Sequence, residues 1–145
     1  MTRNDPAGRR RAREAALQML YQWEIGRVGP HEAIVSYWPA RDAEQEVSEE
    51  LRAFANGLVK GTIEQVGEID QLLTAHTHNW RIERMAVIDR LVLRLAVYEL
   101  RTEPETPARV IINEAIELAR TFSGDEAVPF VNGVLDAVRK DLNRE

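Results

Sequence analysis

The chain has 145 residues, with 24 acidic and 19 basic side chains and a formal net charge of −5. That length supports about one domain with its own core, and 44% hydrophobic against 30% charged residues is a folded, globular balance rather than a disordered one. No apolar run approaches the ~18 residues of a membrane span, and no cysteine is present, which excludes disulfides, thiol catalysis and cysteine zinc sites together. The N-terminal stretch MTRNDPAGRRRAR has no apolar segment of the secretory kind, so a cytoplasmic location is expected.

The charges are segregated. Arg3, Arg9, Arg10, Arg11 and Arg13 stand against Asp5 alone in residues 1–13, a local net of +4; with −5 overall, the remainder carries −9. Lys60 and Lys140 are the only lysines. An arginine cluster on an acidic body reads as a localised anion-binding element.

Helical periodicity runs through the whole chain and no strand alternation competes with it. A first helix is predicted over about Ala7–Ile25, with Ala16, Met19, Leu20 and Trp23 on one face, ended by Gly26 and Gly29; residues 1–8 are expected to form a flexible tail. Pro30 can open a short second helix that reaches Tyr37 and Trp38 before Pro39. The acidic stretch Arg41–Glu50 reads as a solvated connection. From Val47 the apolar positions Leu51, Phe54, Ala55, Leu58, Val59, Ile63, Val66, Ile69 and Leu73 predict one long helix or two. Residues 84–101 are apolar around nearly the whole circumference, as in a helix packed on most sides. Its one polar stripe is Arg90, Arg94 and Arg101, within about 40° of one another and expected to pair with glutamates. Thr106 before Pro107 predicts an N-cap. The following helix should bury Ile111, Ala115, Leu118, Ala119 and Phe122 and stop at Gly124. A last helix from about Glu126 carries Phe130, Val131, Val134, Leu135, Val138 and Leu142. About seven helices therefore make one all-α domain.

Few side-chain sets suggest chemistry. His76 and His78 with Asn79 lack the spacing and the carboxylate partner of a metal site, and His31 reads as structural. Phosphate loops, dinucleotide fingerprints and nucleophile elbows are absent; Glu49 and Glu50 sit in a polar stretch where solvation explains them. No catalytic residue, metal or cofactor is expected. The run Arg9–Arg13 is the sharper signal, because guanidinium groups pair with phosphates and stack on unpaired bases. Cations at a helix start oppose its dipole, and a bound polyanion would relieve that conflict. Phe122 and Phe130 flank the loop SGDEAVP, either filling the core at a helix corner or stacking a base there.

Four segments, in order along nearly the whole chain, resemble the bacterial transcription antitermination NusB family: RRRAREAALQMLYQW at Arg9–Trp23, IDRLVLRLAVYEL at Ile88–Leu100, INEAIELARTF at Ile112–Phe122 and FVNGVLD at Phe130–Asp136. The resemblance implies an all-helical fold of about seven helices in two subdomains. It also implies binding of the single-stranded boxA element of nascent ribosomal RNA together with NusE, a small ribosomal subunit protein, within the transcription elongation complex. On that basis Arg9, Arg10, Arg11, Arg13, Tyr21, Phe122, Glu126 and Phe130 are expected to bind RNA, and Asp89 to lie on the partner side. The loop GDEAVP departs from relatives that carry a serine and a basic residue there, so Val128 and Pro129 change its polar contacts. Two alternatives are an accessory domain of a ribosomal RNA methyltransferase, which needs a further catalytic domain, and a helical homodimer without specific RNA binding.

Overall fold

The structure is a computed structural model and describes residues 5–40, 47–77 and 82–145. Among these residues are seven α-helices and two short 3-10 turns, with no strand. They divide into two compact units, residues 1–63 and 64–145.

The first unit holds α1 (Pro6–Glu24), α2 (Pro30–Tyr37) and α3 (Glu49–Glu64). Helix α1 begins at Pro6, so the segment expected to be a tail is helical from that residue onward and Gly8 is already buried. A proline in the first turn explains the early start, because its fixed φ suits the helix and its missing N–H would have had no partner there. Along α1, Ala12, Ala16, Met19 and Leu20 are fully buried, and Trp23 is only half-buried. Helix α2 packs on α1, fixed by a hydrogen bond from the Tyr37 hydroxyl to Gln18 Oε1 at 2.7 Å. Trp38 is buried and donates its indole N–H to Asn56 Oδ1 of α3 at 2.9 Å. Glu49 and Glu50 prove to be the first turn of α3, where carboxylates suit the helix dipole.

The second unit holds α4 (Val66–His76), a 3-10 turn (Ile82–Arg84), α5 (Val87–Thr102), α6 (Ala108–Phe122), a second 3-10 turn (Asp125–Ala127) and α7 (Val128–Asp141). The stretch predicted as one helix or two is thus two, with Gln65 between them at φ −102° and ψ 12°. Helix α5 is the centre, packed against α4, α6 and α7. Seven consecutive residues, Leu91 to Val97, are buried, which requires cover around the full circumference.

The arginine stripe on α5 is answered from within, though by mixed partners. Arg94 forks onto Asp70 of α4 at 2.9 and 2.8 Å, Arg101 pairs with Glu68 at 2.7 Å, and Arg90 donates to the Ile82 carbonyl at 3.2 Å. Carbonyls at the end of α5 and in the turn after it meet a single guanidinium. Arg144 donates to the carbonyls of Leu100, Glu103 and Thr106, and Arg139 of α7 in turn donates to the Arg144 carbonyl at 3.0 Å. Arg139 and Lys140 together hold the Asp136 carboxyl below the usual carboxylate range. Its ion pairs therefore persist until pH falls below that range, and are lost as the group protonates.

Three details depart from the sequence reading. The N-cap position of α6 is Pro107 rather than Thr106, and no side chain caps it; Thr106 is instead buried, with its carbonyl accepting from Arg144 at 2.6 Å. Phe122, predicted to be buried, is 37% exposed because α6 ends at it. His31 is exposed, so it has no core role. Gly124 stops α6 as expected, at φ +139°, a conformation that favours glycine.

Two stability outcomes follow from this packing. Asp70→Ala leaves the Arg94 guanidinium, 9% exposed, without its forked acceptor, and should cost about 2–4 kcal/mol in chemical denaturation, with the Arg94→Leu/Asp70→Leu double variant recovering much of the loss. Arg144→Ala should cost about 1–3 kcal/mol, and Arg144→Lys should recover less than half of it, since an ammonium cannot span three carbonyls as a planar fork does.

Candidate nucleic-acid interface

The helical period separates the arginine run into two pairs. Arg10 and Arg11 are exposed to solvent. Arg9 and Arg13, one turn apart, face Phe54 of α3, with guanidinium carbons 4.2 and 5.7 Å from the ring centroid. This is cation–π range. Arg13 is only 3% exposed. Arg13, expected to bind RNA with the other three, is thus placed against Phe54, where it helps seat α1. Arg9 is half-buried and lies between these extremes. No acidic residue occupies the first turn of α1, so the helix dipole and two solvent-facing guanidiniums add at one end.

Tyr21 lies on the same side of α1 as Arg10, within about 20° around the axis and about 16 Å along it. It is 39% exposed, and buried Leu17 interrupts the surface between the two. They are separate contacts on one helix rather than a continuous strip.

In the second unit, the α6–α7 corner gathers the remaining residues. Phe122 presents its ring at the end of α6, and Gly124 turns the chain into the 3-10 turn that leads to α7. Asp89 (first turn of α5), Glu126 and Phe130 line one cleft of about 350 Å³ with Met85, Ala86, Ser123 and Ala127. Asp89, expected on the partner side, therefore shares a cleft with two residues expected to bind RNA. Its Oδ1 is buried without a hydrogen-bond partner among the described residues. Glu126 is exposed and Phe130 half-buried, so neither phenylalanine of this corner fills the core.

Sequence reading missed Ser123, Met85 and Ala86 as cleft residues. Ser123 stands in the same loop and was within reach of the argument; Met85 and Ala86 precede α5 with no chemical signature. Pro129 falls in the first turn of α7, where its missing amide costs no internal hydrogen bond, and Val128 is half-buried. His76 pairs with Asp141 at 2.9 Å, whereas His78 and Asn79 lie outside the described residues. Among the described residues no group of three or more histidine, aspartate or glutamate side chains could hold a metal, and no helix is long and apolar enough to cross a membrane.

The chain is similar to known proteins along most of its length. The NusB family model covers residues 10–140. The transcription antitermination protein NusB of Solibacter usitatus is 48% identical over 136 residues, covering 94% of this chain and 91% of the relative. That of Myxococcus xanthus is 46% identical over 136 residues, covering 94% and 97%. Among solved structures, T. maritima NusB superposes with a TM-score of 0.80 at 34% identity over 92% of this chain and 91% of that one. A chain in the crystal structure of the antitermination factors NusB and NusE in complex with dsRNA gives a TM-score of 0.82 at 26% identity, covering 93% and 98%. Through this agreement along its length, from the arginine-bearing helix to FVNGVLD, the chain belongs to the NusB family.

Proposed function

We propose that this chain is a transcription antitermination factor that, with NusE, binds the boxA element of nascent ribosomal RNA and acts by binding alone, without a chemical step. What carries the reading is the likeness of the fold to a chain of the complex of the antitermination factors NusB and NusE with dsRNA. Local chemistry supports it. Arg10 and Arg11 supply two phosphate-pairing groups at a helix start, Phe122 supplies an exposed ring, and the cleft at Asp89 supplies hydrogen-bond acceptors. A ring and a cleft of this kind suit unstacked bases, hence a single-stranded element rather than the closed edge of a duplex. Carboxylates dominate elsewhere on the chain, with −9 outside the first thirteen residues, so the arginine end sets where the phosphates lie and NusE adds the contacts this chain lacks. Such a factor works where the transcript is made, in the bacterial cytoplasm.

Fluorescence anisotropy with labelled boxA RNA at fixed NusE tests the assignment. Replacing Arg10 and Arg11 together by alanine should weaken binding about tenfold or more and lower the magnitude of the salt slope by about 1–1.5, as expected for two lost phosphate contacts on a single strand. Equal affinity for a scrambled RNA, with and without NusE, would remove the specific function.

In the same assay Phe122→Ala should cost about 1–3 kcal/mol of RNA affinity while leaving the thermal midpoint within about 2 °C, because its ring is 37% exposed.

A further inference from the structure

We infer that Phe54 of α3 is a positioning residue for RNA binding: its ring face holds Arg9 and Arg13 and so presets the turns of α1 from which Arg10 and Arg11 project. The inference deepens the RNA-binding reading and rests on it.

The start of α1 poses an electrostatic problem. Arg9, Arg10, Arg11 and Arg13 place four cations close behind Pro6, the first residue of the helix. Cations there oppose the helix dipole, and like charges four residues apart, as in Arg9 and Arg13, destabilise a helix. No acidic residue in the first turn offsets them, and the Asp5 side chain caps no amide. Left to its own propensity this segment would fray, yet it is helical from Pro6 onward.

Phe54 supplies a counterweight from another helix. It is buried beside Leu51, Ala55 and Leu58 on the inward face of α3, so its ring is held in place. An aromatic face carries the negative lobe of the ring quadrupole and attracts a cation. The guanidinium carbons of Arg9 and Arg13 lie 4.2 and 5.7 Å from the ring centroid. Arg13 is almost wholly withdrawn from water, where this attraction is stronger than at a wet surface. Two like charges one turn apart thus share one ring, and the turn between them is tied to α3. Arg10 and Arg11, on that turn, face solvent.

The consequence for binding is a matter of order already in place. A frayed arginine segment has to be ordered by the RNA, and the lost entropy is subtracted from affinity. A segment seated on Phe54 is ordered beforehand. The same phosphates are neutralised in either case, so removing the ring lowers affinity while leaving the salt slope as it was. A residue that contacts phosphate changes both. Phe54 is 6% exposed, so its effect is exerted through the arginines rather than by stacking on a base.

The test titrates labelled boxA RNA by anisotropy at fixed NusE over a range of salt, using the full chain. Phe54→Leu keeps an apolar side chain without a ring face and should bind about fivefold more weakly at an unchanged salt slope. Phe54→Tyr keeps the ring and should recover most of that loss. In the free protein, hydrogen exchange of residues 9–13 should be faster in Phe54→Leu than in the wild type, with α5 unaffected. Wild-type affinity in Phe54→Leu would overturn the positioning role. So would a fall in salt slope as large as that from replacing Arg10 and Arg11, or a Phe54→Tyr no better than Phe54→Leu. Absence of salt-sensitive binding by the wild type would instead remove the RNA-binding reading itself. The wild type decides the matter even where Phe54→Leu folds poorly: residues 9–13 should be protected in the free chain and gain little from RNA. Exchange there at the rate of an unfolded segment until RNA is added would overturn the inference.

Discussion

The second unit depends on the burial of α5 on every side. Where α5 is packed against three other helices it has little solvent-facing surface, so the polar groups it buries there must be answered by the protein. Arg94, Arg101 and Arg90 are met by Asp70, Glu68 and the Ile82 carbonyl, and the Leu100 carbonyl is met by Arg144. Against that background, the bare oxygen of Asp89 in the first turn of the same helix is an exception.

Structure and recognition divide along a similar line in α1. Four arginines in five positions cannot all face one way on a helix. The two that lie one turn apart stack on Phe54 and anchor the helix, and the two between them reach solvent. The pair packed on Phe54 holds the axis that aims the exposed pair. A charge run read as one patch is therefore two devices with different energetics: one packed on an aromatic ring, the other facing solvent and screened by salt.

Much of the architecture was legible in the amino-acid order because it rests on local rules. The apolar period marked most of the helical stretches while leaving open whether Val47–Leu73 was one helix or two, Pro30 and Gly124 marked a start and a stop, and the stripe on α5 announced ion pairs. What escaped depends on partners distant in sequence. The inward turn of Arg13 requires Phe54, some forty residues on, and nothing local distinguishes it from Arg10 or Arg11. The acceptor of Arg94 is an aspartate on α4 rather than a glutamate, a choice made by helix register. Thr106 has the chemistry of a cap, but the chain there is drawn to Arg144, so its backbone rather than its hydroxyl does the work. Phe122 fits the buried period of α6 and is exposed because the helix stops there. The cleft was half legible: its carboxylates and ring could be named, whereas their meeting in one cavity needed the turn at Gly124.

The Arg144 contacts also set an order of events during synthesis. In the first unit the hydrogen bonds Tyr37–Gln18 and Trp38–Asn56 close over separations of 19 and 18 residues, so that unit can consolidate soon after α3 leaves the ribosome. In the second, the Leu100 carbonyl waits for a guanidinium 44 residues downstream. Until then the end of α5 is capped by water, and the emerging helix cannot settle into its final burial. Translation thus hands the cell a finished arginine-bearing half and an unfinished cleft-bearing half for as long as those residues take to appear.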